Sequence, residues 1–166
     1  MATLPDKQVV IAALRAELEG RIERAAARAE QTRADATHEE ARAENDKDTR
    51  GLEQSYLARG QAQRAEELAE ALHRVRLLSP RAYGEDDAIG LGALVRAELE
   101  DGEARTFFVL DVAGGTELSV GPGAPPVWVV SPSSPVGRAL LGRFVGDEVV
   151  IARAGAPRTY DVVAVG

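Results

Sequence analysis

The sequence contains no cysteine, and aromatic residues make up only 4% of it. The absence of cysteine excludes disulfides, thiolate nucleophiles and sulfur-ligated zinc, and it suits a reducing compartment such as the cytoplasm. Because aromatics are scarce, any core must be built mainly from aliphatic residues and alanine. No apolar run approaches the ~18 residues of a membrane-spanning helix, and the first residues lack the pattern of a signal peptide. We therefore expect a cytoplasmic protein with no membrane partner.

Positive charge is also in short supply, since the formal net charge is −7 at pH 7. Non-specific binding to nucleic acid depends on Lys and Arg side chains that neutralise phosphates, so this balance argues against such binding. No glycine-rich nucleotide-binding loop and no serine or histidine catalytic constellation stands out in the sequence. The sequence by itself therefore indicates neither a catalytic site nor a cofactor of the chain's own.

Composition changes sharply along the chain. Residues 1–80 hold 13 of the 20 basic residues but only three of the 16 glycines, whereas residues 81–166 hold six of the eight prolines. The change falls at the Leu-Leu-Ser-Pro sequence of residues 77–80, where proline discourages further helix. We therefore predict two domains, residues 1–80 and residues 81–166.

The first domain has the pattern of two long helices. Asp6 can cap the first helix, and apolar residues then recur at steps of three and four, which is helical spacing. In an antiparallel hairpin the numbers of two facing residues add to a nearly constant value. Here the three pairs from Ile11–Val75 to Leu18–Leu68 add to 86, and the next three pairs, which each include an alanine, add to 87. Half of these sums places the turn at residues 43–44. The predicted seam consists of Ile11, Leu14, Leu18, Ile22, Ala25 and Ala29 on one helix, and Val75, Leu72, Leu68, Ala65, Ala62, Ala58 and Leu52 on the other.

The predicted turn lies within an acidic stretch, EEARAENDKD, at residues 39–48. Five carboxylates are opposed there by only Arg42 and Lys47, so we predict an acidic tip on the hairpin. A plain coiled coil that dimerises or spaces domains has a similar helical composition and is the alternative. Arg21, Arg24 and Arg28 share one helix face, where they could meet phosphate, although Glu17 four residues before Arg21 favours a solvated face with ion pairs.

The second domain has the pattern of strands broken by one short helix. Residues 88–99, 105–112, 127–130, 148–153 and 158–165 have the composition and turn boundaries of strands. Residues 135–141 are expected to form the short helix, with Pro135 near its first position and Gly142 after its end. The whole chain is therefore expected to be an α+β protein.

Residues 131–143, SPSSPVGRALLGR, resemble the signature S-x-S-S-P-[IL]-A-R-A-L-[IL]-G-K of the bacterial Gre transcript-cleavage factors. Residues 146–149 continue this resemblance, and residues 92–95 resemble the first-strand motif of the family. The resemblance implies an N-terminal antiparallel coiled-coil hairpin and a C-terminal FKBP-like domain. It also implies binding to bacterial RNA polymerase at the rim of its secondary channel, with Ser134, Pro135, Arg138 and Arg143 as candidate contacts.

The resemblance is weaker at the tip, where the family has G-D-x-S-E-N-A-E-Y. Glu44 and Asn45 match, but the family Asp falls on Ala41, so Glu40 and Asp46 are candidate substitutes for the missing carboxylate. By this resemblance Glu44 would share the Mg²⁺ of the polymerase active site and act on the RNA 3′ end held there. We expect the protein to act as a monomer.

Three functions remain open at this point. The first is a Gre-like elongation factor that stimulates cleavage of backtracked RNA, which the match at Glu44 favours. The second is a polymerase-binding regulator that does not support cleavage, which Ala41 favours. The third is an FKBP-type prolyl isomerase with a helical extension, which requires a pocket lined by aromatic residues.

Overall fold

The structure, a computed structural model, describes residues 3–40, 47–152 and 155–166. Its elements in chain order are α1 (Lys7–Glu40), α2 (Lys47–Arg76), β1 (Leu94–Glu98), β2 (Ala104–Val109), β3 (Glu117–Leu118), β4 (Val127–Val130), α3 (Pro135–Leu140), β5 (Glu148–Ile151) and β6 (Arg158–Val165). The chain forms two compact units. We call residues 15–76 the hairpin unit, and residues 1–14 together with 77–166 the sheet unit.

The hairpin unit contains most of α1 and all of α2, which confirms the two predicted long helices. Leu18, Leu68 and Leu72 are buried in it. Arg76, at the end of α2, forms an ion pair with Glu19 near the start of the unit, and the two charged atoms are 2.8 Å apart. Because the end of α2 therefore lies beside the early part of α1, the helices run antiparallel, as predicted.

The predicted seam is correct for α1 and only partly correct for α2. Ile22, Ala25 and Ala29 are half-buried as expected, but Leu52, Ala58 and Ala62 are exposed. Among residues 52–76, the more buried positions of α2 are instead 54, 61, 65, 68, 71, 72 and 75, which include two glutamines. A methyl group offers little apolar area, so alanines do not determine which helix face turns inward. The predicted pairing is therefore wrong at these three residues.

The sheet unit is built on a six-stranded sheet with the order β3-β4-β2-β1-β6-β5. Neighbouring strands are antiparallel except β2 and β4, which run parallel. One buried cluster draws residues from the sheet, from α3 and from the segment before β1: Tyr83, Ile89, Ala93, Val95, Ala97, Phe107, Val109, Val130, Leu140, Val149, Ile151, Tyr160, Val162 and Val165. This α+β unit carries the predicted FKBP-like domain.

The first strand is shorter than its sequence suggests, and one strand was not predicted. β1 begins at Leu94 rather than at residue 88, because Gly92 has a φ of 84° and turns the chain just before it. Ile89 pairs elsewhere: its N–H donates to the Arg143 carbonyl at 2.8 Å, and its own carbonyl accepts from Gly142 at 2.8 Å. β3 has only two residues and lacks a readable alternation.

The first turns of α1 belong to the sheet unit. Asp6 caps this helix as predicted, since its Oδ1 accepts hydrogen bonds from the N–H groups of Gln8 at 2.7 Å and Val9 at 3.3 Å. Val10 and Leu14 each have 0% of their surface exposed. Residues 1–14 therefore group with residues 77–166. The two compact units thus differ from the two domains predicted on either side of residue 80. Across the three described ranges, no helix is both long and apolar enough to cross a membrane.

Candidate functional site

The loop before α3 is held by its own serines. Ser134 caps the helix: its Oγ accepts a hydrogen bond from the Gly137 N–H at 3.0 Å and donates one to the Ser131 carbonyl at 2.7 Å. Pro135 follows at the start of the helix, where its missing N–H costs no hydrogen bond. Ser134 and Pro135, both predicted contacts, thus fix the shape of the segment that presents the residues after them.

Gly137 makes this tight loop possible. A Cβ atom at this position would collide with the carbonyl oxygen of Ser131, which is backbone and cannot simply rotate away. Gly137 is buried within α3. The position therefore tolerates no side chain unless the loop itself moves.

Arg138 and Arg143 are both exposed, the first within α3 and the second shortly after it. Neither forms an ion pair with any residue in the described part of the chain. Phe144 is 44% exposed, and its backbone N–H donates to Asp147 Oδ2 at 2.9 Å. Unpaired arginine and exposed aromatic side chains on a fixed segment are the residue types that dominate protein interfaces.

The predicted tip residues fall largely outside the described ranges. Glu44, Asp46 and Ala41 all lie there, so their positions stay predictions. Glu40 is the last residue of α1, and α2 begins at Lys47. The six residues 41–46 between the two helices therefore hold the matched Glu44.

Among the described residues of the hairpin, no metal or phosphate site is found. Within them, no group of three or more His, Asp or Glu side chains could hold a metal ion. Arg21 pairs with Glu17 at 2.8 Å, and Arg24 reaches the same carboxylate at 3.4 Å. These contacts are those of a solvated, ion-paired helix face rather than of a phosphate site.

The aromatic residues of the sheet unit serve mainly the core. Phe108 is 1% exposed, Phe107 is 5% exposed and Tyr160 is 4% exposed. Phe107 and Tyr160 belong to the buried cluster, and Phe108 is buried as well, so these three rings present almost no surface to a ligand. This weakens the case for a prolyl isomerase.

Sequence reasoning missed one cleft on the sheet unit. Its volume is about 300 Å³, and Lys7, Arg81 and Tyr83 are among the residues that line it. The residues come from the start of α1 and from the segment after α2, which are distant in sequence. No local motif signals such a site.

Comparison with known proteins identifies the family. Residues 84–166 match the family model described as "Transcription elongation factor, GreA/GreB, C-term". Transcription elongation factor GreA of Halorhodospira halophila is 30% identical over 102 residues, which cover 61% of this chain and 60% of that protein. GreA of Ralstonia nicotianae is 29% identical over 99 residues, covering 60% of this chain and 58% of that protein. The chain thus spans about 60% of the length of these GreA proteins.

A second kind of relative covers more of the chain. Transcription inhibitor protein Gfh1 of Thermus thermophilus is 31% identical over 122 residues, which cover 73% of each protein. A crystal structure of Thermus thermophilus Gfh1 aligns over 92% of this chain and 94% of that one, with 27% identity and a TM-score of 0.38. The family model matches half of the chain, and Gfh1 is 31% identical over 73% of it, so the chain belongs to the GreA/GreB family of transcription elongation factors.

Proposed function

We propose that this protein binds bacterial RNA polymerase and inserts the tip of its hairpin into the secondary channel, where it stimulates cleavage of backtracked RNA. The observation that carries the proposal is the pairing of a family-matched sheet unit with two long helices that flank an acidic stretch. α1 has 34 residues and α2 has 30. At ~1.5 Å per residue, helices of this length extend roughly 45–50 Å, far more than their buried base requires.

In this proposal the sheet unit anchors the protein to the polymerase surface, and the hairpin enters the secondary channel. Arg138 and Arg143 offer unpaired positive charge on the segment fixed by Ser134 and Pro135. A partner surface that carries carboxylates would satisfy that charge, and arginine supplies several donors in a rigid fork. In this proposal, recognition of the polymerase and action on the RNA therefore reside in different units of the chain.

The tip residues have the donor chemistry that magnesium requires, since carboxylate oxygens are hard ligands. Mg²⁺ supplied by the polymerase would activate a water for attack on the RNA backbone. Glu44 would add negative charge beside that ion, and Glu40 or Asp46 would take the place of the carboxylate absent at Ala41. None of these carboxylates acts alone, so the chain is proposed to assist a catalyst rather than to be one.

A specific observation favours a second function. The family Asp is replaced by Ala41, and the relative that matches the longest stretch among those above bears the name transcription inhibitor. In this alternative the protein occupies the channel and regulates polymerase without supporting cleavage. Its acidic tip would then act by charge and by blocking access.

RNA cleavage in backtracked polymerase complexes distinguishes the two functions. If wild type stimulates cleavage, Glu44→Ala should abolish most of the stimulation, whereas Glu66→Ala, an exposed acid elsewhere on α2, should not. A carboxylate at the predicted tip should contribute little to folding, so we expect Glu44→Ala to change the free energy of unfolding by less than ~0.5 kcal/mol. Glu40→Ala and Asp46→Ala then identify the substitute carboxylate.

Ala41→Asp tests the alternative directly. It restores the carboxylate of the family pattern, so it should create or raise cleavage in a cleavage factor. If wild type and Ala41→Asp both bind polymerase and both remain inactive, the protein is a channel-occupying regulator.

Polymerase binding is measured separately, by competition with labelled wild type. Arg138→Glu and Arg143→Glu should weaken it, whereas Arg158→Glu reverses a charge elsewhere on the sheet unit and should have a smaller effect. Equal binding by all three variants would remove the proposed anchor.

A further inference from the structure

The cleft on the sheet unit combines positive charge with apolar walls. Its polar groups come from Lys7 and Arg81, and Leu4 and Pro80 contribute apolar surface. A volume of about 300 Å³ lies at the lower end of the range for sites that bind small molecules. The cleft can therefore hold one small molecule but not a length of polymer.

Tyr83 organises the two cations. Lys7 Nζ lies 5.1 Å from the centroid of the Tyr83 ring, and the Arg81 guanidinium carbon lies 4.7 Å from the same centroid. The ring itself is fixed, because the Tyr83 hydroxyl donates a hydrogen bond to the Leu91 carbonyl at 2.7 Å. Two positive side chains are thus held against one buried aromatic ring.

The positive charge of Lys7 is not balanced by an ion pair within the described residues. In residues 3–40, 47–152 and 155–166, Lys7 forms no ion pair, and its Nζ donates one hydrogen bond, to the Arg81 carbonyl at 2.6 Å. Arg81 pairs with Asp87 at 3.5 Å, where the Arg81 side chain is largely exposed and the Asp87 side chain is half-buried. Burial, and then the charge of Arg81, lower the pKa of Lys7. The Lys7 amine has two further N–H donors and lies beside a second cation, so it can bind an anion.

We propose that this cleft binds a small organic anion. Its phosphate or carboxylate group lies between Lys7 and Arg81, and its apolar body lies against Leu4 and Pro80. An anion there relieves the repulsion between the two cations and uses the remaining Lys7 donors, while arginine can grip two oxygens at once. The site lies on the sheet unit and uses no tip residue, so it is independent of the proposed action on polymerase.

Titration calorimetry with four probes tests both parts of the proposal on the full chain. AMP carries a phosphate and a large body, hexanoate a carboxylate and an apolar chain, inorganic phosphate only the charge, and adenosine only the body. We expect AMP or hexanoate to bind more tightly than inorganic phosphate, and adenosine not to bind. The stronger of AMP and hexanoate identifies the anionic group that the site prefers. Binding of adenosine as tight as that of AMP would overturn the proposal.

Two substitutions and a control locate the site. Lys7→Met and Arg81→Met keep most of the side-chain volume and remove the charge, so each should weaken binding roughly tenfold, the effect of one charge-assisted hydrogen bond. Arg158→Met removes an exposed charge outside the cleft and should leave the affinity unchanged. Unchanged affinity in both cleft variants would overturn the assignment.

NMR of wild type provides a readout that does not depend on how the variants fold. An anion beside Lys7 favours its charged form, so saturating probe should raise the pKa of the Lys7 amine. Binding that leaves this pKa unchanged, or no binding of any anionic probe at about 10 mM, would also defeat the proposal.

Discussion

The two units of this protein bury their apolar residues in different ways. Among the side chains of α2 that the structure describes, at residues 52–76, the buried ones are Leu68, Leu72 and Val75 near the end of the helix, whereas the sheet unit has a continuous buried cluster. The rest of the hairpin carries half-buried alanines and exposed residues such as Tyr56, which is 64% exposed. The hairpin unit is therefore built for length, and the sheet unit for tight packing.

The difference shows that helix length and helix stability have separate causes here. Long helices of Ala, Arg and Glu form with good intrinsic propensity, but surface ion pairs such as Arg64 with Glu67 at 3.4 Å add only a few tenths of a kcal/mol each. The hairpin is thus held mainly at its base. Substitutions should therefore have unequal effects in the two units, and the following predictions start with the largest.

Phe108→Ala should be the most damaging of these changes. Phe108 is 1% exposed in β2, and truncation of a buried phenylalanine typically costs ~3–5 kcal/mol. Trp128, the only tryptophan, lies in β4, so its fluorescence during urea unfolding reports on the sheet unit. The control is Phe144→Ala, which should cost less than ~1.5 kcal/mol because Phe144 is 44% exposed.

Leu18→Ala should destabilise the hairpin unit by ~2–4 kcal/mol, because Leu18 is 1% exposed at the hairpin base. Leu52→Ala, by contrast, should change the stability by less than ~0.5 kcal/mol, since Leu52 is 58% exposed. Circular dichroism at 222 nm follows the helices, while Trp128 follows the sheet unit. If Leu18→Ala shifted both signals equally, the two units would unfold as one, and the comparison would fail.

A pair of glycine substitutions should have opposite signs. Gly137→Ala meets the Ser131 carbonyl and should destabilise the sheet unit by ~1–3 kcal/mol. Gly60→Ala meets nothing within 4 Å in α2 and should stabilise the helix by ~0.5–1 kcal/mol. Thermal unfolding measures both. A stabilising Gly137→Ala would mean that the loop at residues 131–134 shifts easily.

The smallest effect is expected at Glu103, which joins two strands of the sheet unit. Its carboxylate accepts from Arg105 at 2.8 Å and pairs with Arg158 at 3.3 Å. The hydrogen bond from Arg105 lowers the pKa of Glu103 in the folded protein. A lowered folded-state pKa stabilises the fold above the unfolded-state pKa, and this contribution is lost as the pH falls through the folded value.

Glu103→Gln should therefore lower the melting temperature slightly at neutral pH, and the difference from wild type should vanish in acid. The effect is small because the group is fully exposed to solvent. A difference that persists below the pKa of Glu103 would assign the effect to packing rather than to charge.

Much of the fold could be predicted because large side chains determine it. Leu14, Leu18, Leu68 and Leu72 repeat at helical spacing, and each is buried where the pattern requires. The cap at Asp6 and the short helix at Pro135 have local chemical causes that a sequence displays directly.

The errors arise where local chemistry is neutral or where the cause is distant. Alanines at positions 58 and 62 could face either way, since a methyl group gains little from burial. The early part of the predicted first strand is lost because Ile89 bonds to Gly142 and Arg143, more than fifty residues away. The cleft at Lys7 depends on a contact with Arg81 across 74 residues, which no periodicity reveals.

The grouping of residues 1–14 with residues 77–166 makes the hairpin an insertion within another folding unit. A helical hairpin forms from local contacts and returns its two ends to the same place, as the ion pair between Glu19 and Arg76 illustrates. The sheet unit can therefore form without the entropic cost of closing a long flexible loop. A fragment that begins at residue 81 would lack Val10, Ile11 and Leu14, whereas residues 1–14 joined by a short linker to residue 77 would retain them. We therefore expect that the hairpin can be shortened, lengthened or replaced without loss of the contacts within the sheet unit.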